Sequence, residues 1–202
     1  MGCALTKEQL DRAVAFHGHE CPGLTIGLRA AELCLRELGH NDENRLVAVV
    51  ETDMCGVDAI QVLTGCTYGK GNLIHRDLGK MAFSFYRRKD GKCFRAVLRP
   101  ESHGAAGVEA RALMKKVFSG RATEEETRRC DEMRERYREH LLSLDLAEVF
   151  SLGEPQPLPR DAAILDSLTC EHCGESTMES RTRRFDGKIL CIPCFEAVEQ
   201  KR

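Results

Sequence analysis

The stretch Phe16-His17-Gly18-His19-Glu20-Cys21-Pro22-Gly23 carries two imidazoles and a thiol at alternate positions before proline and glycine interrupt the chain. Residues on one face of a helix lie three or four positions apart, so an extended or irregular turn is needed to direct His17, His19 and Cys21 to one point. Two imidazoles and a thiolate are ligands for zinc or another transition metal. The alternative interpretation is a capped helix with two surface histidines.

Two predicted helices flank this turn. Residues 6–16 (TKEQLDRAVAF) predict a helix that begins after Thr6, with the Gln9 side chain reaching back to the cap. Residues 24–38 predict a second helix, and Pro22 suits its first turn. Cys21 would then lie at a helix N-terminus, where the positive end of the macrodipole favours thiolate over thiol.

Composition restricts the class of protein. A chain of 202 residues with 42% hydrophobic and 31% charged residues can form one full core and a small appendage. The formal charge of −2 provides no general attraction to nucleic acid or anionic lipid. There is no apolar run of roughly 18 residues and no secretory signal, so we expect a cytoplasmic protein without a membrane span. Eleven cysteines, some in CxxC pairs, then favour metal binding over disulfides.

The chain from residue 46 to residue 142 predicts alternating strands and helices. The run 46–51 is β-branched and apolar, and Asp53 can cap the helix that follows it and ends at Gly65. Three glycines within residues 64–73 indicate a backbone that passes close to another group. The remaining predicted elements are a hairpin of strands 80–88 and 92–99 around Asp90-Gly91 and two amphipathic helices at 105–118 and 123–142. The Arg and Glu residues of the second helix indicate a solvated face or a face against a partner subunit.

A short second domain is predicted after a proline-rich segment. Three prolines in residues 152–160 stiffen the chain, and we divide it into a core domain at 1–151, a linker at 152–168 and a small domain at 169–202. A hairpin between two CxxC pairs resembles a treble-clef zinc finger. Four thiolates predict a closed structural zinc site, with a rubredoxin-like iron site or a redox dithiol pair as alternatives. The ligands are Cys170, Cys173, Cys191 and Cys194.

The basic residues of this tail lie between the CxxC pairs and have few aromatic neighbours. That composition favours a protein contact over nucleic acid. They are Arg181, Arg183, Arg184 and Lys188.

The core domain contains three separated segments with residues that could carry chemistry. Each lies where a helix or strand meets a turn, a position at which functional groups are often displayed. The candidate metal ligands are His17, His19, Cys21, Cys55 and Cys66. The candidate catalytic groups are Cys21, Asp53, Asp58 and Lys70. For Cys55 and Cys66 the alternative is burial as small apolar side chains.

Three motifs in this order resemble the FmdE family, named for the FmdE component of molybdenum- or tungsten-dependent formylmethanofuran dehydrogenase. They are His17-Gly18-His19-x-Cys21-Pro22-Gly23, Asp53-x-Cys55-x-x-Asp58-Ala59-Ile60-Gln61 and Thr64-Gly65-Cys66-Thr67-x-Gly69-Lys70-Gly71-Asn72. The resemblance implies an α+β core of the order α-β-α-β-β-β over a mixed sheet, a homodimer, and a metal held by the motif histidines and cysteines. It also implies association with an oxidoreductase of methanogenesis.

Two functions are consistent with these features. The first is a metal-binding accessory protein that delivers metal, a cofactor or a partner contact to a molybdenum or tungsten oxidoreductase. The second is a small metalloenzyme or thiol redox protein, in which Cys21 is the thiolate, Asp53 or Asp58 transfers a proton and Lys70 holds an anionic substrate. Both require a zinc or another transition metal in the core, besides the zinc of the tail, or a reactive core thiolate.

Overall fold

The structure is a computed structural model that describes residues 2–41 and 45–200. The chain divides into two compact units, the first ending at Asp161 and the second beginning at Ala162. The division lies inside the segment 152–168 that the sequence predicts as a linker. The first part of that segment packs on the first unit, since the Tyr86 hydroxyl donates a 2.8 Å hydrogen bond to the carbonyl oxygen of Gln156.

The first unit has the α+β composition that the sequence predicts. Its helices are α1 (Lys7–His17), α2 (Pro22–Leu38), α3 (Gly56–Thr64), α4 (Gly104–Phe118), α5 (Glu124–Ser143) and α6 (Leu146–Val149), and a 3-10 helix spans Pro100–His103. Its strands are β1 (Leu46–Val50), β2 (Leu73–His75), β3 (Ala82–Arg87), β4 (Cys93–Leu98) and β5 (Phe150–Gly153). The succession α2-β1-α3-β2-β3-β4 is the expected α-β-α-β-β-β arrangement.

The five strands form one mixed sheet in the order β2-β1-β3-β4-β5. Strand β1 pairs in parallel with β2 and antiparallel with β3, and the pairs β3–β4 and β4–β5 are antiparallel. Strand β5 has no counterpart among the predicted elements, because its four residues lie beside the proline-rich segment and gain their pairing from β4. The interior strand β1 is followed by the segment 52–55, after which α3 begins.

Local signals set most helix ends as expected. The Thr6 hydroxyl accepts from the Gln9 N–H at 3.2 Å, and the Gln9 amide oxygen accepts from the Thr6 N–H at 2.9 Å. The expectation that Asp53 caps α3 is wrong, because the helix begins later, after Cys55, and has no side-chain cap bond. The loop between β1 and α3 is therefore two residues longer than the sequence predicts.

The contact between α2 and α3 depends on two glycines. A Cβ atom on Gly27 would lie 2.1 Å from the carbonyl oxygen of Gly56, so no larger residue fits between these helices. Both helices also pack on the sheet, where Ile26, Ala30 and Ile60 join the main apolar core. This close crossing brings the N-terminus of α2, with Cys21, beside the N-terminus of α3, with Cys55.

The second unit is a small β-rich module. It contains the strands β6 (Ser167–Thr169), β7 (Ser176–Met178), β8 (Thr182–Phe185) and β9 (Lys188–Cys191), a 3-10 helix (Glu179–Arg181) and the helix α7 (Ile192–Val198). The pairs β6–β7 and β8–β9 are antiparallel, and the second is the predicted hairpin. Helix α7 follows this hairpin and carries Cys194 in its first turn. Among the described residues, no helix is long and apolar enough to cross a membrane.

Candidate metal centre

Three of the predicted core ligands converge at the junction of α1 and α2. One donor atom each from His17, His19 and Cys21 lies within 4.8 Å of the others. The turn between the helices makes this possible, since Gly18 has φ of 92° and reverses the chain after His17. The two imidazole rings then lie 4.6 Å apart between centroids, at 37° to each other.

His17 is held in one orientation by a carboxylate. Its Nδ1 atom lies 2.7 Å from Oδ2 of Asp58, on the first turn of α3. Its other ring nitrogen, Nε2, lies 3.8 Å from Sγ of Cys21. A carboxylate that accepts the Nδ1 proton fixes the tautomer and leaves the Nε2 lone pair for a metal. Asp58 therefore supports a ligand and does not itself join the three donors.

Cys21 lies at the N-cap of α2, as predicted. Its Sγ atom accepts a 3.3 Å hydrogen bond from the Leu24 N–H, and the side chain is buried. This sulfur therefore faces a backbone N–H and the positive end of the α2 dipole. Pro22 at the first helical position has no N–H to leave unsatisfied.

The donor set fits a tetrahedral zinc ion or a similar transition metal. Bond lengths near 2.0 Å to nitrogen and 2.3 Å to sulfur place tetrahedral ligand atoms about 3.3–3.8 Å apart. The 3.8 Å from His17 Nε2 to Cys21 Sγ is at the upper end of this range. Three protein donors leave one position open, which is typical of catalytic and exchangeable sites and not of closed structural ones.

Cys55 lies beside this group and Cys66 does not. Cys55 packs against the apolar cluster that contains Cys21, and burial and the neighbouring Cys21 thiol raise the pKa of Cys55. Cys66 is fully buried in the main core, where burial also raises its pKa. Cys55 and Cys66 lie at opposite ends of α3, roughly 15 Å apart at 1.5 Å per residue. Cys66 therefore corresponds to the alternative interpretation, in which it is buried as a small apolar side chain.

The other two catalytic candidates are also separated. Asp53 is exposed and lines a cavity together with His17 and Asp58. Lys70 is exposed in the glycine-rich turn, and its Nζ atom lies beside Gly65 at the far end of α3. Cys21, Asp53 and Asp58 thus lie near the N-terminus of α3, whereas Lys70 lies near Cys66 at the opposite end of this helix.

Two cavities adjoin the candidate site, and both include Met54 and Cys55 in their walls. The first, of about 430 Å³, contains His17 and the two carboxylates Asp53 and Asp58. The second, of about 620 Å³, contains His19 and Cys21. Its remaining wall comes from strand and helix residues that include Met81, Met114, Arg111, Arg134 and Tyr137.

The sequence did not predict that α4 and α5 form part of the wall of this second cavity. The Arg and Glu residues of the amphipathic helix α5 are predicted to form a solvated face or a face against a partner subunit. On the apolar side of the same helix, Tyr137 is buried, and its hydroxyl lies 2.5 Å from Nδ1 of His103. His103 has the sequence context of an isolated polar residue. The sequence does contain a signal for this wall. Single large apolar residues interrupt the highly charged helix α5, and such residues face the interior of a helix pair.

The second unit contains the four predicted zinc ligands. One Sγ atom from each lies within 4.8 Å of the others, and Cys173 Sγ lies 3.9 Å from Cys191 Sγ. Backbone N–H groups of Cys173, Cys191 and His172 lower the pKa of Cys170 to about 6. A thiolate held in this way is a good zinc ligand, and four such cysteines form a closed structural site.

Comparison with known proteins agrees with this division. Residues 164–200 match the prokaryotic dksA/traR C4-type zinc finger. Over 99% of both chains, the fold is similar to the crystal structure of a tungsten formylmethanofuran dehydrogenase FmdE-like protein from Syntrophus aciditrophicus, with a TM-score of 0.63 and 24% identity. At this identity the likeness shows the fold alone.

A curated relative is longer than this chain. The chain is 36% identical over 194 residues to a probable S-adenosyl-L-methionine-binding protein of Archaeoglobus fulgidus, and the match covers 92% of this chain and 52% of the relative. The chain thus spans about half the length of that protein. Residues 16–151, which contain the candidate site, match the family described as FmdE, molybdenum formylmethanofuran dehydrogenase operon. The chain therefore belongs to the FmdE family.

Proposed function

We propose that this protein binds a transition metal through His17, His19 and Cys21 and serves as an accessory protein of a molybdenum or tungsten oxidoreductase. The observation that carries the metal site is the arrangement around His17, whose Nδ1 faces Asp58 while its Nε2 faces Cys21. An imidazole oriented by a carboxylate is the usual environment of a metal-ligating histidine.

The residues around the site have separate tasks in this proposal. When bound, zinc would supply a Lewis acid with one exchangeable position. Asp58 holds the His17 ring and its Nδ1 proton, and the Leu24 N–H stabilises the Cys21 thiolate. Cys55 lines the same cavity as Cys21 and would be an additional donor beside the open position.

The partners rest on family membership. The FmdE match, whose description names a formylmethanofuran dehydrogenase operon, supports association with an oxidoreductase complex, and the separate zinc-binding unit supports a protein contact. A homodimeric state is part of the same proposal. A treble-clef arrangement of that unit is supported by its order, in which a CxxC turn, the β8–β9 hairpin and then α7 with the second CxxC follow one another. Co-purification from the native host and light scattering test these points. Recovery of no oxidoreductase component, or a monomer at micromolar concentration, would contradict them.

A cofactor ligand belongs to the same proposal. A carboxylate-lined cavity suits a cation, and the cavity of about 430 Å³ carries Asp53 and Asp58 together with Tyr68. S-adenosylmethionine has an ammonium group and a sulfonium for the carboxylates and an adenine for the tyrosine ring. Calorimetric titration should give binding that Asp53→Asn weakens. Undiminished binding to that variant would exclude this cavity.

A second candidate function is thiol redox chemistry, which is favoured by the positions of Cys21 and Cys55 in one apolar cluster and in the wall of one cavity. Two neighbouring thiols can form a disulfide as a partner disulfide is reduced: one S–S bond forms, the partner S–S bond breaks, and the two electrons and two protons pass to the partner, which becomes two thiols. Incubation of metal-free protein with oxidised glutathione, followed by peptide mass spectrometry, should then give a Cys21–Cys55 bridge. Oxidation at exposed Cys93 alone would count against it.

Metal content tests the main proposal. Anaerobically purified protein should contain two metal equivalents per chain, one in each unit. Cys21→Ser should retain one equivalent, and so should His19→Ala, which changes an exposed side chain and leaves the core packing intact. Cys93→Ser is the matched control and should retain two. A single equivalent in the wild-type protein, or two in His19→Ala, would refute the core site.

A further inference from the structure

We propose that the cavity of about 620 Å³ beside the turn that carries His19 and Cys21 binds an organic anion with an apolar body. The charged group of this anion lies between Arg111 and Lys115 of α4. This inference goes beyond the proposed metal site, since the groups that would hold the anion come from α4 and α5 and not from the ligand triad.

In the described part of the chain, the Lys and Arg side chains of the cavity wall are not balanced by carboxylates of the same wall. Arg111, Lys115 and Arg134 line it, and among the described residues none of its lining side chains is Asp or Glu. The neighbouring cavity, in contrast, contains Asp53 and Asp58. A concave site lined by one sign of charge attracts a ligand of the opposite sign.

Two of these cations are uncompensated. Within residues 2–41 and 45–200, neither the Arg111 side chain nor that of Lys115 makes a hydrogen bond or an ion pair, although most neighbouring arginines do. Arg129, for example, bonds Glu109 across the same helix pair at 2.7 Å. Arg111 and Lys115 are four residues apart on α4 and therefore lie on one face of the helix. They are available to a ligand carboxylate.

Arg111 is also close to the polar base of the cavity. Burial lowers the pKa of His103, and the Arg111 charge lowers it further. Burial raises the pKa of Tyr137 to about 12, with Arg111 opposing the rise. The hydrogen bond between His103 and Tyr137 joins the start of α4 to α5 and closes this end of the cavity. Arg134 contributes a buried Nε atom that has no hydrogen-bond partner among the described residues.

The rest of the wall is apolar and adaptable. Three methionines, Met54, Met81 and Met114, line it together with Ile26, Leu98 and Phe118. Methionine is flexible and polarizable, so such a wall accepts apolar bodies of different shape. The volume lies in the range of small-molecule sites. The ligand class is therefore an aromatic or aliphatic carboxylate, and a small hydrophilic anion such as inorganic phosphate would leave the apolar wall unused.

Calorimetric titration with three matched probes tests the charge preference. We expect 2-naphthoate to bind the two-unit protein about tenfold or more tightly than 2-naphthalenemethanol, and 2-naphthylmethylammonium to bind more weakly than the alcohol. The naphthoate affinity should fall as salt is added. Equal affinities for the three probes, or inorganic phosphate binding as tightly as naphthoate, would overturn the proposal.

Variants locate the anion. The double variant Arg111→Gln/Lys115→Gln should lose the tenfold preference for naphthoate and keep the affinity for the alcohol. Arg128→Gln, an exposed arginine of α5 paired with Glu125, is the matched control and should behave as wild type. An unchanged preference in the double variant would refute the assignment.

The metal site is tested separately. Cys21→Ser should bind naphthoate within about threefold of wild type, even though it loses core metal, because a hydroxyl preserves the cavity wall. Loss of both together would make the anion a metal ligand and overturn the role of α4. A wild-type protein that holds only the tail zinc and still binds naphthoate would instead refute the proposed metal site and leave this inference intact.

Discussion

The Nδ1 atom of His17 lies 2.7 Å from Oδ2 of Asp58, and this contact joins the last residue of α1 to the first turn of α3. The two residues are 41 positions apart in sequence. The same helix, α3, is held against α2 by the close approach of Gly27 and Gly56. The ligand turn is therefore fixed from both sides by α3, which orients His17 and presents Cys55 to Cys21.

Removal of the Asp58 carboxylate tests this relationship. In Asp58→Asn the tautomer of His17 is no longer fixed by a carboxylate, and we expect the affinity of the core site for zinc to fall about 10- to 100-fold. Competition with a chromogenic chelator measures it. Asp53→Asn removes an exposed carboxylate of the same loop and should change the affinity by less than about twofold. An Asp58→Asn affinity equal to that of wild type would show that the bond is not part of the metal site.

The crossing of α2 and α3 should not tolerate a side chain. In Gly27→Ala the new methyl group meets the Gly56 backbone, so we expect the free energy of unfolding to fall by roughly 3 kcal/mol or the protein not to fold. Urea denaturation followed by circular dichroism measures it. Gly69→Ala is the control, since a Cβ at Gly69 meets nothing within 4 Å, and it should change stability by less than about 0.5 kcal/mol. Comparable stabilities for the two variants would contradict the close crossing.

Zinc removal should unfold the second unit without affecting the first. The apolar cluster of the second unit is small and includes three of its four zinc-ligating cysteines, so metal binding supplies most of its stability. In Cys170→Ser we expect amide hydrogen exchange protection to be lost across residues 167–198 and kept in β1, β3 and β4. Cys93→Ser should keep protection in both units. Protection that persists in β8 and β9 after the loss of zinc would contradict a structural role for the metal.

A buried ion pair should make stability depend on pH. Two hydrogen bonds from Arg95, at 2.6 and 2.7 Å, lower the pKa of the Glu51 carboxyl below its usual value. The folded state therefore binds this proton more weakly than the unfolded state. The stabilisation is complete above the unfolded pKa of about 4.3 and is lost as pH falls through the lower folded value.

Substitution of Glu51 measures this contribution. Glu51→Gln should lower the free energy of unfolding by about 2 kcal/mol at pH 7, and the difference from wild type should narrow as pH falls toward 3. Glu139→Gln, at an exposed position of α5 with no ion pair among the described residues, should show no such trend. A Glu51→Gln difference that is independent of pH would contradict the lowered pKa.

Local sequence was sufficient for most elements of the fold. Signals that act over a few residues can be predicted from the sequence. Examples are the Thr6 and Gln9 capping box, the Asp90-Gly91 hairpin and the acidic first turn of α5. The same holds for the CxxC pairs and for the alternation of His17, His19 and Cys21. Strand β5 has no comparable signal, because its pairing partner β4 lies about 50 residues earlier in the chain.

Which of these residues share a site was decided by long-range packing. The motifs predicted Cys55 and Cys66 alike as companions of Cys21, but α3 separates the two by its full length and buries Cys66 in the core. The cavity of about 620 Å³ likewise depends on the packing of α4 and α5 beside the turn that carries His19 and Cys21. Spacing in the chain encodes the geometry of one turn or one helix. Distances between turns depend on how helices pack, and here that packing is set by the contact of Gly27 with Gly56.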